Sequence, residues 1–312
     1  MRGPAFLCQS SQQADGLKMW LAVASGKGGA GKTSLVTSLA TVWDSPCIVA
    51  DADVEAPNVH LFLQPEIYSK TSVTLELPVL DEQRCTACGQ CASFCRFKGI
   101  AKFRQQIVLF PDMCHGCGGC LLLCPEKALL PGSRVLGDLE TGSVLQGRQL
   151  FIMGRSCVGE ALSPPQIRAL QAELISMRQG RDVLLDAPPG VSCPAMTAAD
   201  KADLVLLVAE PTPFGFHDFK LAHEAFKVLQ KPLVAVVNRV GIPGNQQGDE
   251  EVLRYCRHAQ LPVLAELPFA REVAEHYASG LTLASLSAAW QKRFVDLALA
   301  LRVFCERGGL DA

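Results

Sequence analysis

Trp20-Leu-Ala-Val-Ala-Ser-Gly26-Lys27-Gly28-Gly29-Ala30-Gly31-Lys32-Thr33-Ser34 is the stretch on which the reading of this chain turns. Five apolar residues suited to a buried strand run into a glycine-rich turn, and a helix-forming segment follows. Strand, loop and helix in that order are the context a phosphate-binding loop requires. Its glycines let backbone N–H groups curl around phosphate oxygens, and the helix N-terminus adds a positive dipole. Gly26, Lys27, Gly28, Gly29, Ala30, Gly31, Lys32, Thr33 and Ser34 are therefore the expected nucleotide-binding set. Lys32 is expected at the β and γ phosphates, and the Thr33 hydroxyl on Mg2+.

Outward from the loop, short apolar runs alternate with helix-length segments: 47–50, 150–153, 183–185, 204–208, 233–237 and 263–267. Runs this short and continuously apolar read as buried parallel strands. The fold class predicted is α/β, a doubly wound, mostly parallel sheet. Carboxylates stand at the ends of two of these runs, in Ile48-Val-Ala-Asp51-Ala-Asp53 and Val183-Leu-Leu-Asp186. The C-terminal ends of strands are where open α/β sheets bind ligands. Leu286, Trp290, Phe294, Leu297, Leu301 and Phe304 recur at steps of three and four, which predicts a C-terminal helix whose apolar face caps the sheet.

A second signature interrupts the first. Cys85, Cys88, Cys91 and Cys95, then Cys114, Cys117, Cys120 and Cys124 followed by Pro125, each form C-x2-C-x2-C-x3-C. This is the spacing of bacterial two-cluster ferredoxins, in which the fourth cysteine of each run reaches across to the other cluster. One [4Fe-4S] cluster is expected on Cys85, Cys88, Cys91 and Cys124, the other on Cys114, Cys117, Cys120 and Cys95. Zinc is the competing metal for C-x2-C pairs, and the repeated four-cysteine run favours clusters. His115 is read as a spacer able to tune potential through hydrogen bonds. The expected division is an inserted α+β ferredoxin-like domain at 71–148, a nucleotide-binding domain at 19–70 and 149–312, and a disordered tail at 1–18. No internal repeat is read outside the cysteine motif.

The remaining composition narrows the class. With 14 cysteines, eight of them at metal spacing, and no export signal, the expectation is a reducing cytoplasm. A net charge of −2 gives no basic footprint, so no nucleic-acid partner is expected. No apolar run reaches membrane-spanning length. Cys8, Cys47, Cys256 and Cys305 lack neighbours at ligand spacing and are read as structural.

Together these motifs resemble the MinD-superfamily P-loop ATPases that carry an inserted ferredoxin domain. Lys27, a second lysine early in the loop, is similar to the deviant Walker A lysine of the MinD, ParA, Mrp and nitrogenase iron protein group. The resemblance implies that it reaches into a dimer partner's nucleotide site. It also implies that Asp53 positions the attacking water, that Asp186 acts on Mg2+ through water, and that the Gly190 N–H senses the γ-phosphate. Asn238-Arg239 is similar to the group's adenine-reading pair. Cys157 and Cys193 resemble the two cysteines with which each iron protein subunit holds a cluster bridging the dimer, implying a third cluster here. The cofactors implied are ATP, Mg2+ and two [4Fe-4S] clusters. The partners implied are a second copy or a similar ATPase in an ATP-dependent dimer, and a redox or assembly protein. Arg96 departs from the proline that ferredoxins often carry after the fourth cysteine, and 154–162 diverges from the group. The function expected is slow ATP hydrolysis coupled to electron transfer. An Mrp-like cluster carrier and a MinD-like spatial organiser are the alternatives, with membrane attachment disfavoured by the weakly basic C-terminal helix.

Overall fold

The computed structural model describes residues 18–307. The expected tail, Lys18 apart, and Cys8 lie outside the described residues. The strands, numbered in chain order, are β1 (Trp20–Ala24), β2 (Cys47–Asp51), β3 (Glu66–Leu80), β4 (Ile100–Phe103), β5 (Gln106–Leu109), β6 (Leu129–Val144), β7 (Gln149–Ser156), β8 (Asp182–Asp186), β9 (Leu204–Ala209), β10 (Leu233–Val240) and β11 (Val263–Pro268). Nine of them form one sheet in the order β11-β10-β9-β1-β8-β2-β7-β6-β3. From β11 to β7 every pairing is parallel, and the seven strands are those the apolar runs predict.

Alternate residues of the buried strands enter two separate cores. Trp20, Ala22 and Ala24 of β1 face one side, packed with Ile167, Leu170, Phe219 and Phe226 from the helices Ser163–Arg178 and Pro213–Lys227. Leu21 and Val23 face the other, against Leu35 and Leu39 of α1 (Lys32–Val42) and Phe294, Leu297 and Leu301 of the C-terminal helix (Ala288–Glu306). A sheet covered on both faces needs strands apolar throughout, which is what these segments supply. The C-terminal helix buries its predicted face, and Arg302 ties its far end to buried Asp182 at 3.2 Å. Among the described residues no helix is long and apolar enough to cross a membrane.

The sheet differs from expectation at one edge. The segment 71–148 is read from sequence as cysteine-rich with short β pieces, yet β3 and β6 are long antiparallel strands of 15 and 16 residues. β6 joins the main sheet only through Gly137–Val144, which pair with β7. Its first half, Leu129–Leu136, pairs with β3 alone and continues past the C-terminal end of β7 as a two-stranded stalk. Eight residues at about 3.3 Å each carry it roughly 25 Å beyond the sheet.

Residues 81–128 form the head on this stalk. It holds the hairpin β4–β5 and two one-turn helices, Gln90–Phe94 and Gly119–Leu123. Its two halves repeat each other at one constant offset. Ala87 and Gly116, Gly89 and Gly118, and Lys98 and Lys127 are all left-handed, with φ of 50°, 67°, 87°, 69°, 59° and 49° in that order. The duplication thus extends from the cysteines to the backbone around them. The core of the head is only Cys91, Ile100, Ile107, Cys120 and Leu129, with a few partly buried neighbours. Small units with so little apolar burial commonly rely on a metal or covalent staple.

Candidate nucleotide site and thiol cavities

The glycine-rich loop joins β1 to α1, at the C-terminal edge of the parallel strands. Gly28 and Gly29 form its exposed rim, whereas Ala30, Lys32 and Ser34 are buried. Gly31 caps α1 with φ of 105°, and a Cβ there would lie 2.3 Å from the Asn238 amide nitrogen. Only glycine satisfies both the left-handed backbone and that approach.

Thr33 Oγ1 donates to Asp186 Oδ2 at 2.5 Å. The other oxygen of Asp186 is buried and has no hydrogen-bond partner among the described residues. Leaving a buried carboxylate oxygen unmet costs about 1–3 kcal/mol or more, and a hydrated divalent cation beside Thr33 would meet it. Burial pushes the Asp186 carboxyl up to about 6, a rise that Lys32 and Thr33 oppose and Asp53 reinforces. Asp51 pairs in register with Asp186 and is fully buried. Burial and then the Asp186 charge hold its carboxyl well above the usual range. Neighbouring buried carboxylates of this kind favour a bound cation or a retained proton. The Thr33–Asp186 donor set therefore fits Mg2+.

Asp51 is a residue whose work the sequence reading did not assign. Its Oδ2 accepts from the N–H groups of Asn58 and Val59 at 2.8 and 2.9 Å, and its Oδ1 from that of Asp53 at 3.1 Å. These bonds shape the loop that holds Asp53 half-buried in the field of Lys32. Burial raises the Asp53 carboxyl, and Lys32 lowers it. Glu210 is the other unassigned residue. Lys27 Nζ lies 2.9 Å from one of its oxygens and Arg239 3.2 Å from the other. Two cations on one carboxylate at the end of β9 are the signal, visible only once strands are in order.

Asn238 and Arg239, expected to read a base, brace the loop. Asn238 Nδ2 donates to the Ala30 carbonyl at 2.8 Å, and Arg239 donates to the Gly29 carbonyl at 3.0 Å. The Gly190 N–H, expected at the γ-phosphate, donates to the Ser25 carbonyl at 2.9 Å. Cys157 and Cys193 are both exposed.

The eight cysteines of the head fall into two groups around two cavities. Cys85, Cys88, Cys91 and Cys124 line one. Cys95, Cys114, Cys117 and Cys120 line the other. The fourth cysteine of each run has crossed to the other's cavity, as the spacing predicts. Backbone N–H groups of Ala128 and Gly116 donate to the sulfurs of Cys124 and Cys114 at 3.3 and 3.5 Å. Burial raises the Cys91 and Cys120 thiols, and neighbouring cysteines add to it. Among the described residues no three His, Cys, Asp or Glu side chains converge to hold a single metal ion. A polynuclear cluster instead needs four thiolates spread around a cavity, and this donor set fits one.

The stalk is rooted beside Asp53. The Val54 carbonyl accepts from the Ser156 N–H at 2.8 Å, and the Leu136 carbonyl accepts from the Cys157 N–H at 2.8 Å. Val54 packs so closely on Gly154 that a Cβ there would lie 2.5 Å away. Arg134 of the stalk pairs with Glu160, and Ser163 donates to Glu55.

Comparison with known proteins bears on the first of these sites. The profile of the CobQ/CobB/MinD/ParA nucleotide binding domain matches residues 21–283, most of the chain. The chain belongs to this family. Membership identifies residues 21–283 as a nucleotide-binding domain. Two uncharacterized proteins of Methanocaldococcus jannaschii are similar: one is 31% identical over 231 residues, 73% of this chain and 80% of that protein. The other is 27% identical over 227 residues, 72% and 81%. Among solved structures, the MinD cell division protein of Aquifex aeolicus is 15% identical, with 91% of this chain and 96% of that chain covered and a TM-score of 0.55. MinD of Pyrococcus horikoshii complexed with Mg-ADP gives the same values. At such identities the likeness is one of fold.

Proposed function

We propose that this chain is an ATP-binding, slowly hydrolysing iron–sulfur protein in which a nucleotide-driven dimer switch controls electron transfer to a partner protein. The observation that carries the proposal is the pair of four-thiol cavities on a stalk whose root meets the 156–157 segment, to which Val54, beside Asp53, is also hydrogen-bonded. When bound there, [4Fe-4S] clusters supply one-electron chemistry. The N–H groups of Ala128 and Gly116 would then stabilise the thiolates they already face.

At the other site, Lys32 would neutralise the β and γ phosphates, while Thr33 and Asp186 hold Mg2+ and its water. Asp53 would orient the attacking water. Lys27 would leave Glu210 to meet the nucleotide of a second copy, as the resemblance implies. Phe214, Val158 and Val191 are exposed near Glu210, Cys157 and Gly190 respectively, and such apolar groups around a site suit burial against a second copy. A shift of Asp53–Glu55 on closure would pass through Val54 and Ser156 to the stalk, a bistable element of the kind that γ-phosphate contacts control. The same face carries Cys157 and Cys193, and a cluster bridging two copies through them is the extension of this reading.

Anaerobic purification followed by iron, sulfide and zinc analysis tests the proposal. About eight irons per chain with matching sulfide are expected from two cubic clusters, and about ten if a third is shared by a dimer. A colourless protein holding stoichiometric zinc would contradict it.

A further inference from the structure

One stretch of the head reverses the charge of the chain. From Cys95 to Phe110 the sequence carries Arg96, Lys98, Lys102 and Arg104 and no acidic residue, in a protein whose net charge is −2. All four cations are exposed. Among the described residues none of them is paired with a carboxylate. Three of the four are not repeated at the corresponding positions of the second half: Pro125 stands where Arg96 does, Pro131 where Lys102 does and Ser133 where Arg104 does, whereas Lys127 matches Lys98. The duplicated backbone therefore does not call for the charges of Arg96, Lys102 and Arg104.

Their position relates them to the cavities. Lys102 lies over Gly89, whose Cβ would fall 2.8 Å from its side chain, and Gly89 lines the first cavity. Phe97 lines the second and stacks on His115 with ring centroids 3.8 Å apart. Phe103 is 64% exposed with the Arg104 guanidinium 5.6 Å from its ring centroid. Exposed aromatics among unpaired cations are the composition of a protein-docking surface: aromatic anchors give contact area, and charges of one sign steer and orient the partner.

We infer that this face, from Arg96 to Arg104, docks an acidic one-electron carrier protein. The inference rests on the proposed electron-transfer role and names the partner's chemistry. A partner seated here would lie against both cavities at once, where electron tunnelling, which decays steeply with distance, is favoured. A nucleic acid would also find the cations, but its placement over two thiol cavities would serve no transfer.

The test uses the full anaerobic protein and purified flavodoxin, a small acidic one-electron carrier, as the probe. Wild type is expected to bind it with an affinity that falls as salt rises. The triple variant Arg96→Glu/Lys102→Glu/Arg104→Glu is expected to bind at least about tenfold more weakly, mainly through a slower association rate. The control Arg271→Glu/Lys292→Glu, also exposed, should bind as wild type does. No binding by wild type, equal binding by the triple variant, or salt-independent binding would overturn the inference. So would loss of single-stranded oligonucleotide binding in the variant with flavodoxin binding unchanged. Iron content is read on the same samples. Full iron with unaltered flavodoxin binding sinks this inference alone, whereas wild type without clusters that still binds flavodoxin sinks the electron-transfer reading and leaves the docking face standing.

Discussion

Asp186 shows how burial sets the charge of a single side chain. Burial holds its carboxyl at about 6 against an ordinary 3.8, so between those values the folded chain keeps a proton that the unfolded chain has released. The stability linked to that proton is fully present below pH 3.8 and is lost as pH rises through 6. Asp186→Asn is therefore expected to raise the melting temperature of the nucleotide-free protein at pH 7 by a few degrees. It should also abolish the further rise that Mg2+ with ATP gives to wild type by mass action. Calorimetry at pH 5 and 7 checks both, and a variant that still gains stability from Mg2+ with ATP would contradict the assignment. Lys32, Thr33 and Asp186 were legible in sequence because each sits at the end of an apolar run or inside one local motif. Glu210 and the bonding role of Asp51 were not, because their meaning lies in contacts between strand ends distant along the chain.

The stalk is the element that joins the two chemistries. Its strands escaped the sequence reading because they are buried on one face near the head and exposed throughout 66–72, so no continuous apolar run marks them. The alternation of Val73, Leu75 and Leu77 with Thr74 and Glu76 was the available signal, a period of two. The seven central strands, apolar at every position, were readable for the opposite reason. Stalk and head meet where Gly116, with φ of 67°, packs on Leu75; a Cβ there would lie 2.5 Å from the Leu75 side chain. Gly116→Ala is expected to disturb the cavity of Cys114, Cys117, Cys120 and Cys95 and lower iron from about eight to about four per chain. ATP binding should persist, because Gly116 belongs to the head and not to the nucleotide loop. Retention of all the iron would show that this contact does not shape the cavity.

At the scale of the whole molecule, the order of the sheet places β1, β8 and β2 with their loop and carboxylates at one edge, and the stalk leaves from that same edge beside β7. A nucleotide switch and a thiol-rich head could be strung together by a flexible linker. Here instead they are joined by a paired ribbon whose root is bonded to Cys157, next to the Ser156 that holds Val54 of the Asp53 loop, so a displacement at one end has a route through β7 to the other. The most direct measurement follows cluster reduction by a chemical donor in a stopped-flow instrument, with Mg2+ and ATP or Mg2+ and ADP, in wild type and Lys27→Ala. The account predicts that ATP changes the rate or the midpoint potential in wild type and not in Lys27→Ala. Identical rates and potentials with both nucleotides in wild type would contradict it.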